Sequence, residues 1–151
     1  MGVRSVATNP RLASIQVTLP FLPFPAGVKA RLSSPYGPRW GKLHNGVDYA
    51  LPVGTPLLAL ADAQVRFAQT TDTGPSGLYV GYRFDHEGVE YTVSYAHCSE
   101  VIVSRGEYVD AGQAIAYSGS SGSSTGPHVH VRIRTDAVKH LDPERMLPPL
   151  M

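Results

Sequence analysis

Gly126-Pro127-His128-Val129-His130-Val131-Arg132-Ile133 decides how the rest of this chain is read. A Gly-Pro turn leads into a run with Val and Ile at alternating places, the pattern of a short β-strand. Side chains two apart on a strand share a face. His128 and His130 therefore stand side by side, and Arg132 continues their row. Two imidazoles on one strand face need a reason, and a metal that takes nitrogen ligands is the first to test.

The chain has 151 residues, which predicts one domain with a real core. Its net charge is +1 and it has no basic run, so neither nucleic acid nor an anionic membrane is expected as a partner. No apolar run is long enough to span a membrane. The one cysteine, Cys98, excludes an internal disulfide and any cysteine-cluster zinc site. The 15 Gly and 13 Pro residues fall between short runs of Val, Ile, Leu, Tyr and Phe, which predicts strands joined by many turns.

In order, residues 1–12 read as a polar arm and Ser14–Leu19 as a strand. Pro20–Pro25 is extended, because its three prolines forbid a helix, and Phe21 and Phe24 are expected to pack on the domain. Residues 33–41 read as a loop of turn formers around aromatics and one arginine, a make-up suited to function. Strands are expected at Leu57–Leu60, Ala63–Ala68, Leu78–Phe84, Val89–Ala96 and Ala114–Tyr117, with Asp85–Gly88 as a hairpin loop. Ser118–Gly126 is a flexible low-complexity run. Asp142 caps one helical turn, with Pro143 at its first position.

No segment carries a long helical period, so the fold class is all-β. Val53–Ala59 and Ala111–Ala116 echo each other, each a Gly turn feeding an apolar strand, as in hammerhead-like barrels. The carriers built on such barrels need a Lys at a hairpin tip, and Lys29, Lys42 and Lys139 are not so placed. The expected division is an N-terminal extension over residues 1–27 and a main domain over 28–151.

Four of the six histidines fall in three short turn-bounded motifs. His44 and Asp48 lie four apart; Asn45-Gly46 argues for a bend into a strand rather than a helix. With one histidine of the HxH pair they make three protein ligands, the number that catalytic zinc sites use. His97 is expected at the end of the strand that begins at Val89. His86, at a hairpin tip, and His140, in a polar tail, read as ordinary surface residues.

His44-Asn45-Gly46-Val47-Asp48, Tyr95-Ala96-His97 and His128-Val129-His130 resemble, in order, the HxxxD, Tyr-x-His and HxH motifs of the lysostaphin/LytM-type zinc metalloendopeptidases. Ser34–Arg39, Pro52–Pro56, Gly106–Gly119 and Leu141–Pro143 match the linking segments as well. The resemblance implies an antiparallel β-sheet domain with a groove roofed by loops. It implies Zn²⁺ held by His44, Asp48 and His130, with His97 and His128 catalytic but not ligating. The implied substrates are peptide bonds in the stems or cross-bridges of bacterial peptidoglycan. With no HExxH glutamate present, a histidine must carry the proton, and His128 stands beside His130 for that role. His97 shares it or stabilises the oxyanion. Tyr36 and Arg39 are the candidate substrate-binding donors.

Three departures from the family pattern stand out. Cys98 follows His97 where Leu is usual, and is expected to face the core rather than act as a nucleophile. Arg132 stands where an acidic or neutral residue is common. Thr73–Gly77 replaces a Gly-aromatic-Gly turn. A non-catalytic relative, serving as activator or structural module, is the rival reading; such a relative lacks ligands, and none is lost here. Met1–Pro25 has no signal-peptide pattern. The expected setting is the bacterial wall, reached from a phage particle docked through residues 1–27 on tail or baseplate proteins. A lysis-released enzyme and a secreted one are the alternatives.

Overall fold

The structure, a computed structural model, describes residues 18–150. They form β1 (Arg31–Ser34), β2 (Gly37–Arg39), β3 (Lys42–His44), β4 (Val47–Ala50), β5 (Pro56–Leu58), β6 (Ala63–Gln69), β7 (Leu78–His86), β8 (Val89–Val101), β9 (Tyr108–Val109), β10 (Ala114–Ser118) and β11 (His128–Thr135). One 3-10 turn follows at Pro143–Arg145, with Asp142 as its cap. Among the described residues there is no α-helix. The main sheet runs β1-β4-β11-β8-β7-β6-β9, with β10 paired to β8 and β5 to β10. All pairs are antiparallel. The fold is all-β, as the sequence pattern predicts, and antiparallel, as the family resemblance implies.

The alternation read at residues 128–133 continues along β11. Val129, Val131 and Ile133 are 0% exposed, which assigns their face to the core and the His128–His130–Arg132 row to the other. Tyr49 of β4, Val80 and Tyr82 of β7, and Tyr91, Val93 and Tyr95 of β8 join that core. Each fully buried Val or Leu contributes about 1.5–3 kcal/mol. Tyr95 belongs to this interior. Leu60 N–H donates to Tyr82 Oη at 3.1 Å, the two tyrosine hydroxyls bond at 2.6 Å, and Tyr95 O–H donates to Leu58 O at 2.7 Å. The tyrosine of the Tyr-x-His motif thus ties the end of β5 to β7 and β8.

His97 does not end its strand. Simple alternation from Tyr91, Val93 and Tyr95 would turn His97 inward. Instead β7 takes two steps, Val80 to Leu78, where β8 takes three, Tyr95 to Cys98, and His97 adopts a φ of 65°. This bulge flips the face. Cys98 becomes fully buried, His97 turns toward the open side, and β8 runs on to Val101. Burial pushes the Cys98 thiol up to about 12. Native protein at mildly alkaline pH is expected to resist a disulfide-exchange reagent that labels the unfolded chain at once. Prompt labelling of the native form would restore a nucleophilic role for Cys98.

The echoed segments are partners. β5 and β10 pair with each other, and Gly54 and Gly112 occupy the same left-handed conformation, at φ 88° and 86°. Gly54 N–H donates to Ser118 O at the end of β10 and Gly112 N–H to Ala59 O just beyond β5, each at 2.8 Å.

Residues 33–41, expected as a loop, contain the end of β1, all of β2 and the turn into β3. Trp40 and Gly41 both take positive φ, 51° and 77°, which suits a two-residue turn. Glu87-Gly88 closes β7–β8 the same way, so His86 is strand rather than loop.

Leu19 and Phe24, on the extension side of the expected division, are buried, with Phe24 edge-on to Tyr49 at 5.3 Å. Leu19 N–H donates to Met146 O at 2.7 Å, and Leu58 N–H to Pro23 O at 2.9 Å. The proline-rich segment packs on its own domain. The expected arm at residues 1–12 lies outside the described residues. So does all of the expected strand at 14–19 except Thr18 and Leu19, which are not in a strand.

Candidate metal centre and active site

Three elements bring the HxxxD and HxH residues together. His44 ends β3, Asp48 lies in β4, and between them the chain bends rather than coils. In the β4–β11 register Asp48 stands directly opposite His130, and residues so paired share a face. Gly46 allows the bend to sit tight against β11. A Cβ there would collide with the Val131 carbonyl and touch the His130 ring. Gly46→Ala is expected to destabilise the fold by about 1–3 kcal/mol, read from a urea midpoint, and to weaken metal binding with it. A wild-type midpoint would contradict this packing.

His44 Nε2 is 3.2 Å from one Asp48 oxygen, and His130 Nδ1 is 2.8 Å from the other. One donor atom from each of the three residues lies within 4.8 Å of the others. His44 and Asp48 are both buried. His44 Nδ1 lies 2.8 Å from the Pro35 carbonyl, which can only accept, so Nδ1 carries the proton. His130 Nε2 faces Asn45 Oδ1 at 2.9 Å and donates to it. Neutral rings then aim two lone pairs at a carboxylate. That arrangement is repulsive unless a cation lies among them or both rings take a second proton. Two imidazole nitrogens and a carboxylate oxygen suit a divalent, borderline-soft metal. The residues present fit such an ion.

In the ion-free site, where the rings take the second proton, burial opposes ionisation of Asp48, but the hydrogen bond and charge of His130, helped by His44 and His128, outweigh it. Its carboxyl titrates below the usual aspartate range and is ionised at neutral pH.

His97 and His128 form a second pair, with ring centroids 4.7 Å apart. His97 Nδ1 donates to Ser121 O at 2.8 Å. His128 Nδ1 donates to Gly126 O at 2.8 Å and lies 3.2 Å from Ser124 Oγ. In both rings Nε2 is left as the free acceptor. His128 Nε2 is 4.0 Å from Asp48. Burial, reinforced by His128 and His130, lowers the pKa of His97 despite the Ser121 and Asp48 contacts, so His97 is neutral at neutral pH.

Pro35, Asn45, Ser121 and Gly126 carry a role that the sequence does not assign to them: they are the acceptors that fix the four tautomers. Asn45 lies inside the HxxxD motif and was legible as a turn former alone. Ser121 and Gly126 were hidden by the low-complexity run, whose flexibility the structure contradicts. Ser121 Oγ–H donates to Cys98 O at 2.6 Å, Gly122 N–H to Asp72 Oδ1 at 3.1 Å and Ser123 N–H to Pro75 O at 2.8 Å. Its small residues serve close approach: a Cβ on Gly122 would collide with Pro75 O. Asn45→Ala is expected to weaken metal binding about 10–100-fold in a calorimetric titration, because the His130 ring loses its orienting acceptor. Unchanged affinity would remove Asn45 from the site.

Two recesses open beside these residues. One, of ≈ 790 Å³, is lined by Arg39, Trp40, Asp48, Gly126 and His128. The other, of ≈ 460 Å³, is lined by Asn45, His130 and Arg132 among others. Arg39 donates to Ser34 Oγ at 2.6 Å and lies 3.6 Å from Asp48. Tyr36 is half-buried against the core, and its hydroxyl donates to His140 O at 3.5 Å.

Comparison with known proteins adds the family. ShyA, a peptidoglycan DD-endopeptidase of Vibrio cholerae, is 35% identical over 122 residues, covering 75% of this chain and 27% of that protein. Lysostaphin of Staphylococcus staphylolyticus is 35% identical over 108 residues, covering 72% of this chain and 20% of that protein. The chain thus spans about a quarter of the length of the curated relatives it matches. The solved catalytic domain of lysostaphin from Staphylococcus simulans aligns with a TM-score of 0.63 at 33% identity, covering 78% of this chain and 90% of that one. A solved zinc-containing peptidase from Vibrio cholerae aligns with a TM-score of 0.71 at 27% identity, covering 89% and 41%. The model of peptidase family M23 matches residues 42–143, a span that carries all three motifs, and the chain belongs to that family.

Proposed function

We propose that this domain is a zinc-dependent endopeptidase acting on peptide bonds of bacterial peptidoglycan. His44, Asp48 and His130 hold the ion, and His97 and His128 handle protons. The observation that carries the reading is the pairing of two sets: three converging donors, and beside them two rings each locked by a backbone carbonyl with Nε2 left free. The names of the relatives, a peptidoglycan DD-endopeptidase among them, support the substrate class.

When bound, zinc supplies a Lewis acid that acidifies water and polarises a carbonyl. His128 takes the proton at Nε2, the ring nitrogen that the Gly126 contact leaves free. It returns that proton to the leaving amine. His97 stays neutral, since two imidazolium rings 4.7 Å apart repel, and so accepts a hydrogen bond from water or a substrate N–H. Arg39 is the better supported substrate donor, because it lines the recess beside His128. The Tyr36 hydroxyl is directed at His140.

Purified protein is expected to hold one zinc per chain and to release new amines from purified peptidoglycan. A chelator stops the release and zinc restores it. A zinc-loaded protein that releases none would sink the proposal. The setting is a separate proposal, a wall-degrading enzyme docked on a phage particle through its N-terminal segment. Leu19 and Phe24 belong to the core, so the deletion that tests docking removes residues 1–17 only. Unchanged particle association after that deletion would discard it.

A further inference from the structure

Arg132 is the one member of the outward row at the site that the proposed reaction leaves unused. It stands two beyond His130, opposite Ser94 in register, and lines the same recess as Asn45 and His130. Phe67 and Tyr79, edge to face at 5.5 Å, form an apolar wall of that recess. Among the described residues the Arg132 guanidinium makes no ion pair, and its Nε is shielded from solvent with no hydrogen-bond partner. Arg39, Arg66 and Arg83 each meet a carboxylate. Arg134 adds like charge near Arg132 rather than relief. A permanent cation with a shielded, unused donor weakens a fold unless an anion answers it. A guanidinium beside an apolar wall suits a carboxylate, which it can grip with two parallel bonds.

We infer that Arg132 receives a free carboxylate of the substrate, carried within two residues of the scissile bond. The distance sets that limit. Two residues along β11 span about 6.6 Å, the length of about two residues of an extended peptide. The inference rests on the endopeptidase reading of the site. It makes the recess a specificity pocket for acidic peptides, and it accounts for a cation where the family often has an acid or a neutral residue. The carboxylate can be a peptide terminus or the branch carboxylate of a diamino diacid residue.

The test has two arms. In metal-free full-length protein, the Arg132 Nε–H resonance is followed by NMR while N-acetyl-D-alanine or its amide is added. The acid is expected to shift it saturably and the amide not. In calorimetric titrations of the same two probes, Arg132→Gln abolishes the preference and Arg132→Lys keeps part of it. Equal responses to acid and amide overturn the inference. In zinc-loaded protein, stem peptides with free or amidated carboxylates, at the terminus or at the branch, are compared. Wild type is expected to favour the acid at one of the two places by about 10–100-fold in kcat/KM, mostly through KM. In Arg132→Gln the acid falls to the level of the amide. Cleavage without acid preference at either place overturns the inference and leaves the endopeptidase reading intact. Saturable acid binding with no cleavage of any peptide does the reverse.

Discussion

Replacing His130 by Ala is expected to abolish metal binding and peptidoglycan hydrolysis together. His130 Nδ1 stands 2.8 Å from Asp48, and without it the metal set shrinks to His44 and Asp48. Two ligands do not hold a catalytic zinc ion in place. The loss of affinity is expected to exceed the ~10–100-fold that follows from removing an outer hydrogen-bond partner. The fold should survive, because Val129 and Val131 anchor β11 from the opposite face. A thermal readout separates the two effects. Zinc at 100 times its Kd stabilises a native protein by about 2.7 kcal/mol, so the wild-type Tm should rise with zinc while that of His130→Ala stays where it was. A variant that still binds zinc stoichiometrically and digests peptidoglycan would falsify the metal assignment.

His128→Ala gives the opposite pattern. Metal binding is retained, because His128 Nε2 lies 4.0 Å from Asp48 and outside the converging set. The rate is not, since the ring proposed to carry the proton is gone. A drop in kcat of about 10²–10⁴ is expected, with a much smaller change in KM. Equal losses of zinc from the two variants would show that the row has no division of labour. A His128→Ala enzyme with wild-type kcat would move the proton-carrying role to His97.

The contrast between these neighbours shows how far residue pattern alone reaches. That His128 and His130 share a face follows from a period of two, a local property of any strand. The all-β class follows from the same alternation and from turns at Gly and Pro, and the antiparallel pairing from the family resemblance. The identity and order of the chemical groups were also legible, because His44, Asp48, His97, His128 and His130 sit in three compact motifs.

Other features required distant segments to meet. His97 reaches the open face because β8 inserts one extra residue against β7, and a bulge lies in the register between two strands. The tautomer of His130 is set by Asn45, 85 positions away, and that of His97 by Ser121, 24 positions away. The Ser/Gly run has the composition of a flexible linker. It is held in place because its small residues fit against Asp72, Pro75 and Cys98. Arg132 could be assigned to the histidine row from the alternation. That it makes no ion pair among the described residues is decided by the assembled strands, since an ion pair depends on which carboxylates the fold brings within reach. Local periodicity governs which way a side chain points, and long-range packing governs what it meets there.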